Sequence, residues 1–150
     1  MRAKEYFELS AKLKNSIVFN YLGDLYYYGH GVKQDFLQAK EYYELAIQYN
    51  CSWAYVNLGN IYFNGKSVKQ NYLKAKECFE LAIKHGNDAG YINLAYMYKN
   101  GLGIPHDYLK AKECYELGLQ HNYYDSLFPL GNLYYEGQGV EQNYKKAKEY

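Results

Sequence analysis

Neither sign of charge dominates this 150-residue sequence: 17 Lys and Arg stand against 16 Asp and Glu. Nucleic-acid binders normally carry a clear basic excess, so the balance argues against that class of partner. The same balance supplies no long-range pull toward an anionic membrane. Long apolar runs are missing too, and nothing approaches the roughly 20 residues that cross a bilayer. The opening stretch from Met1 to Leu9 has no apolar signal-peptide core. Cysteine is scarce, at Cys51, Cys78 and Cys114. An odd number of thiols without an export signal points to reduced cysteines and a cytoplasmic location, with a secreted effector left open. The sequon Asn50-Cys51-Ser52 matters only if the chain is exported.

Catalytic and metal-binding patterns are also lacking. Gly65-Lys66-Ser67 suggests a phosphate loop, but Asn60 stands where the upstream glycine is required, and a helical pattern precedes it instead of a strand. His30, His85, His106 and His121 are scattered over turns and helix ends, and His85 and His121 lack further ligands at zinc spacing. The serines sit in no Ser-x-x-Lys or Gly-x-Ser-x-Gly context. The expectation is a chain with no catalytic residues, no metal and no cofactor.

What is present is a repeat. Ala-Lys-Glu followed by an aromatic residue or cysteine begins at Ala3, Ala39, Ala75, Ala111 and Ala147, each 36 residues after the last. Leu22, Leu58, Leu94 and Leu130 keep the same step, as do Tyr26, Tyr62, Tyr98 and Tyr134. A constant period of this length marks a solenoid, in which each unit buries its apolar face against its neighbours. Within one period, Tyr55, Leu58, Gly59 and Tyr62 have helical spacing and Gly65 follows, a residue suited to the left-handed backbone that ends a helix. Gly29, Gly101 and Gly137 hold the same place. Asp35, Asn71, Asp107 and Asn143 then read as N-caps of a second helix.

That second helix carries Ala39, Tyr43 and Ala46, echoed by Ala75, Phe79 and Ala82 and by Ala111, Tyr115 and Gly118, an apolar face with small residues where helices approach closely. Lys40 with Glu44, Lys76 with Glu80 and Lys112 with Glu116 mark its solvated side. Asn50, Gly86 and Asn122 separate the units. The expected fold is all-α, a right-handed α-solenoid of 36-residue helix-turn-helix repeats. The expected organisation is one array: a partial second helix at 1–14, full repeats at 15–50, 51–86 and 87–122, and a repeat at 123–150 that stops short.

The pattern Ala54-x3-Leu58-Gly59-x2-Tyr62-x2-Gly65-x2-Val68, followed by Ala75-x3-Phe79-x2-Ala82, resembles the Sel-1-like repeat, a longer relative of the tetratricopeptide repeat. Three departures stand out: Ala95 replaces a glycine, Ser67 replaces a turn glycine, and Pro129 falls inside the expected fourth first-helix, where it would bend or shift it. The resemblance implies that first helices line a concave groove and second helices form the back. By that analogy the groove-facing residues of the second repeat are Trp53, Val56, Asn60, Phe63 and Asn64. In the first repeat they are Ile17, Asn20, Asp24, Tyr27 and Tyr28. In the third they are Ala89, Ile92, Tyr96, Lys99 and Asn100, and in the fourth Asp125, Phe128, Asn132, Tyr135 and Glu136.

A surface mixing aromatic rings with amides suits a polypeptide ligand, because amides bond its backbone while rings cover its apolar side chains. The implied function is a non-catalytic scaffold or adaptor that binds a protein or peptide in this groove, not nucleic acid or membrane. Two alternatives come with the resemblance. Cysteine-rich members are described as binding or hydrolysing β-lactams, but their cysteine pairs correspond here to Ile47 and Tyr55, or Ile83 and Tyr91. A repeat-type RNA binder would need a basic groove, whereas this one carries Lys99 against Asp24, Asp125 and Glu136. The apolar stripe holding Ala147 and Tyr150 further suggests an uncapped C-terminus open to end-to-end self-association.

Overall fold

Helices start and stop where the repeat places its caps. The computed structural model describes residues 15–150, and the partial second helix expected at 1–14 lies outside them. The described residues form α-helices and one 3-10 turn, with no strand among them. The first helices are α1 (Ser16–Tyr28), α3 (Ser52–Asn64), α5 (Ala89–Asn100) and α7 (Leu127–Glu136). The second helices are α2 (Phe36–Gln48), α4 (Tyr72–Lys84), α6 (Tyr108–Gln120) and α8 (Tyr144–Glu149). The fold is the expected all-α solenoid of helical hairpins.

Gly29, Gly65, Gly101 and Gly137 end the first helices in the left-handed conformation, with φ of 74°, 66°, 64° and 69°. A side chain there would be strained, and glycine removes that cost. At the second helices, the Asp35 carboxylate accepts the backbone N–H of Leu37 and Gln38. Asn71, Asp107 and Asn143 accept those of Lys74, Lys110 and Lys146. Each such cap contributes about 1 kcal/mol. Between cap and glycine, the side-chain amides of Gln34, Gln70 and Gln142 donate to the carbonyls of Tyr27, Phe63 and Tyr135, all at 2.8 Å. The third hairpin has His106 at that place and sets its ring edge-on to Tyr108.

The chain divides into two compact units, Met1–Ala82 and Ile83–Tyr150. In the first, Leu22, Ala39, Tyr43, Ala46, Ala54 and Ile61 are essentially inaccessible and form the core with Leu58, Cys51 and Cys78. The helices of each hairpin meet at a glycine: a Cβ on Gly23 would lie 2.4 Å from the Tyr43 ring, and one on Gly59 would lie 2.5 Å from the Phe79 ring. No side chain fits there without moving the ring. In the second unit, Ala95, Ala111, Tyr115, Leu130, Leu133 and Tyr134 make the core, and Ser126 is buried against Gly118.

Lys40–Glu44, Lys76–Glu80 and Lys112–Glu116 form the i,i+4 pairs the sequence suggests. Their side chains stay partly wet, so each pair contributes only a few tenths of a kcal/mol, about 0.3–0.5. Of the two effects expected of Pro129, a bend or a shift, the shift is seen: Tyr124–Ser126 forms a 3-10 turn and α7 begins only at Leu127. Pro129 thereby falls in the first helical turn, where no intrahelical partner for its missing N–H is needed. The helix is 10 residues long, against 13 for α1 and α3.

Candidate functional site

A side-chain network ties three helices of the first unit together. Asp24 projects from α1 and accepts the hydroxyl hydrogen of Tyr43, from α2, at 2.8 Å on Oδ1. Asn57, from α3, donates its Nδ2 to the same Oδ1 at 3.2 Å and to Asn20 Oδ1 at 3.0 Å. Asn20, one helical turn before Asp24, donates to Asp24 Oδ2 at 3.3 Å. Burial pushes the Asp24 carboxyl above its ordinary range, and the Tyr43 hydrogen bond partly opposes the rise. Burial, followed by the neighbouring Asp24 charge, pushes the Tyr43 phenol strongly upward, so Tyr43 remains a hydrogen-bond donor.

Above this network lies a cleft of about 450 Å³. Asn20, Asp24 and Asn57 form its polar floor, Ile17 and Cys51 add apolar lining, and Tyr21, Tyr28 and Trp53 supply its rings. The rings are open to solvent, at 51%, 59% and 60% exposure. The cleft thus combines a half-buried carboxylate, two amides and exposed aromatic faces, a set that holds a ligand by charge, hydrogen bonding and stacking together.

Of the residues expected to face a groove, Ile17, Asn20, Asp24, Tyr28 and Trp53 meet in this cleft. Val56 is buried, and Tyr27, Asn60 and Phe63 are half-buried. The Tyr27 ring packs edge-on against Tyr28 and Phe36, and Phe63 packs edge-on against Tyr72. Exposed Asn64 donates to the Asn60 carbonyl at 2.9 Å. In the second unit Ile92 joins the core margin, Tyr96 is exposed and Lys99 is half-buried. Phe128, Asn132 and Tyr135 line a second cleft of about 650 Å³ with Tyr144, Lys148 and Tyr150. Its floor is Gly131, the counterpart of Gly23 and Gly59, which the Tyr43 and Phe79 rings cover.

Sequence reasoning missed Tyr43 and Asn57 as members of the site. A signal for Asn57 exists, since it follows Asn20 by one period plus one residue, which sets the two on facing first helices. Tyr43 reads as core from its spacing and is core; only its hydroxyl belongs to the site.

None of the three cysteines forms a disulfide. Cys78 is buried, and burial pushes its thiol up to about 11, which suppresses thiolate reactivity. Among the described residues no three His, Cys, Asp or Glu side chains gather to hold a metal ion. No helix among them is long and apolar enough to cross a membrane.

The family model described as Sel1 repeat matches residues 1–15, 20–48, 54–87, 89–123 and 125–150. No curated protein matches the sequence. Among solved structures, the chain is similar to a Sel1 repeat protein from Oxalobacter formigenes, with a TM-score of 0.87 and 26% identity, over 97% of this chain and 60% of that one. It is also similar to a protective antigen of uropathogenic Escherichia coli strains that displays an SLR fold, with a TM-score of 0.78 and 26% identity, over 97% of this chain and 31% of the antigen. Cysteine-rich protein B of Helicobacter pylori shares the fold, with a TM-score of 0.60 and 19% identity, over 82% of this chain and 93% of that one. The chain therefore spans less than two thirds of the first two proteins.

Proposed function

Because the chain belongs to the Sel1 repeat family, we propose that it is a non-catalytic scaffold that binds a polypeptide on the surface of its first helices. The observation that supports this reading most is where the large rings stand. Tyr28 and Trp53 in the first unit, and Tyr96, Phe128 and Tyr135 in the second, are each more than half exposed and all belong to first helices. Large rings left in water are costly to carry and productive when covered, which is why they dominate the energetics of protein interfaces. Amides stand among them: Asn20 and Asn57 near Trp53, and Asn132 near Phe128 and Tyr135. The second helices differ: apart from Tyr144 on α8, their exposed large hydrophobics among the described residues are the leucines Leu37, Leu73, Leu81, Leu109 and Leu117.

Affinity capture with the full chain, followed by mass spectrometry, tests the reading. Replacing the exposed rings Trp53 and Phe128 together with Ala is expected to weaken retention of a captured polypeptide while the melting temperature stays nearly unchanged. The pair Lys76→Glu and Lys112→Glu, on second helices, is expected to leave retention intact. Loss of binding in the second variant and not in the first would place the partner on the opposite face and overturn the proposal.

A further inference from the structure

The cleft of the first unit carries a feature that its neighbours in the repeat do not. At the position of Asp24 the other repeats carry Asn60, Tyr96 and Asn132. At the position of Asn20 they carry Val56, Ile92 and Phe128. The hairpin of α3 and α4 packs its glycine against Phe79, which has no hydroxyl, and it folds without a carboxylate at Asn60. Packing therefore does not require the charge at Asp24. A half-buried charge that the packing of the repeat does not require carries a desolvation cost, and such groups mark binding sites.

The charge also lacks a counter-charge among the described residues. Asp24 receives hydrogen bonds from a phenol and two amides, all neutral donors. Among the described residues, no Lys, Arg or His lies within ion-pair distance of it. Its Oδ2 accepts, among the described residues, only the long 3.3 Å bond from Asn20, which leaves acceptor capacity on a side chain that lines the cleft. The rim beside it is aromatic, with Tyr28 and Trp53 both more than half exposed. A carboxylate at the floor and rings at the rim together favour a cation with flat faces. The guanidinium group is planar, stacks on aromatic rings and offers several N–H donors in a rigid fork. A compact ammonium uses the rings less well, and a metal ion would need more ligands than the single carboxylate here.

We infer that the cleft between α1 and α3 is a recognition pocket for an arginine side chain of a bound polypeptide, with Asp24 as its anion and Trp53 and Tyr28 as its stacking walls. This inference rests on the scaffold reading above and adds the chemistry of the ligand. Asn20 and Asn57 position the carboxylate and hold it from two helices, so the site is assembled before the ligand arrives, which lowers the entropic cost of binding.

Trp53 is the sole tryptophan of the chain and stands at the cleft, so its fluorescence reports on occupancy. The probes are N-acetyl-arginine methylamide and its neutral isostere N-acetyl-citrulline methylamide, titrated into the full chain. The arginine probe is expected to saturate the Trp53 signal and shift the side-chain amide resonances of Asn20 and Asn57. The citrulline probe should bind at least about tenfold more weakly, because it loses the charge while keeping the shape. Asp24→Asn should lose the arginine response by a similar factor while keeping its helical circular dichroism. Equal responses to the two probes would overturn the inference, as would an arginine response unchanged in Asp24→Asn. The outcomes also separate the two proposals. Capture of arginine-free polypeptides by the first helices, without a response to the arginine probe, would sink the pocket and leave the scaffold standing. A selective arginine response in a chain that captures no polypeptide would sink the scaffold instead.

Discussion

The two hairpins of the first unit share a backbone plan and differ in what they do with it. In both, a first-helix glycine lies under a second-helix ring, with clearances of 2.4 Å at Gly23 under Tyr43 and 2.5 Å at Gly59 under Phe79 for an added Cβ. Both rings are almost completely buried. The difference is one hydroxyl and one carboxylate: Tyr43 donates to Asp24, while Phe79 has nothing to donate and Asn60 stands where the acid would be. The close approach of helix to ring is thus the general structural requirement, and the polar network is added at one hairpin without disturbing it. A repeat protein can place a site in this way because the packing task is repeated and any one copy is free to depart from it.

The comparison breaks most visibly if a ring is removed. Phe79→Ala deletes a fully buried aromatic side chain that covers Gly59 and is expected to cost about 3–5 kcal/mol, measured by urea unfolding followed by circular dichroism. A loss below about 1 kcal/mol would show that the ring is not the keystone of its hairpin.

A smaller effect distinguishes the two rings from each other. Tyr43→Phe keeps the packing and removes a hydrogen bond to a charged group, so the expected loss is about 1.5 kcal/mol, the low end for such bonds because Asn57 still donates to Asp24. Phe79→Tyr adds a hydroxyl opposite a neutral amide and should change stability by less than about 1 kcal/mol. Equal losses for the two substitutions would mean that the Asp24 network contributes nothing to the first hairpin.

The acid itself gives a pH-dependent difference. Because burial raises the Asp24 carboxyl in the folded chain, the proton binds more tightly there than in the unfolded chain. That linkage contributes stability fully at pH values below the unfolded carboxyl range, about 3.9, and the contribution is lost as pH rises through the higher folded value. Asp24→Asn does not titrate, so its stability relative to the original chain should improve as pH rises from about 4 through the raised folded value of the acid. Titration of the Asp24 carbon resonance by NMR should place its midpoint above the usual carboxylate range, and higher still in Tyr43→Phe. A midpoint at or below the usual range would remove the desolvation account.

The smallest expected effect lies in the turns. Ser67 has φ of 55°, whereas Gly31, Gly103 and Gly139 hold the same place in the other hairpins at 73°, 69° and 69°. Ser67→Gly relieves the left-handed strain and gives back part of the gain as unfolded-chain entropy. The net stabilisation is on the order of 0.5 kcal/mol. A rise of a degree or so in melting temperature would match it, and a fall would show that the serine makes a compensating bond.

Most of the helix boundaries were legible in the sequence, and the reason is local. The backbone at Gly29 or Gly65 must turn left-handed within one residue, and Asp35 or Asn71 must meet a free N–H within three, so both requirements are written in neighbouring positions. Where the repeat is interrupted, at Pro129, a residue that prefers a helix start shifts the boundary, and the chain accommodates it with the Tyr124–Ser126 turn. The expected groove residues were only partly informative. Asn20, Asp24 and Trp53 do share a cleft, but Val56 is turned into the interior and Phe63 packs on Tyr72.

By itself, the sequence determined the period, the hairpin and the buried face of the second helices, because those follow from spacing and from the backbone preferences of single residues. Tertiary structure alone decided that Asp24, Tyr43 and Asn57 meet. Their separations of 19 and 33 residues cross one turn and then two, and no local preference specifies which atom of a core tyrosine reaches a neighbouring helix. The acid became a site only where three helices brought it into partial burial, among neutral donors, beneath exposed rings.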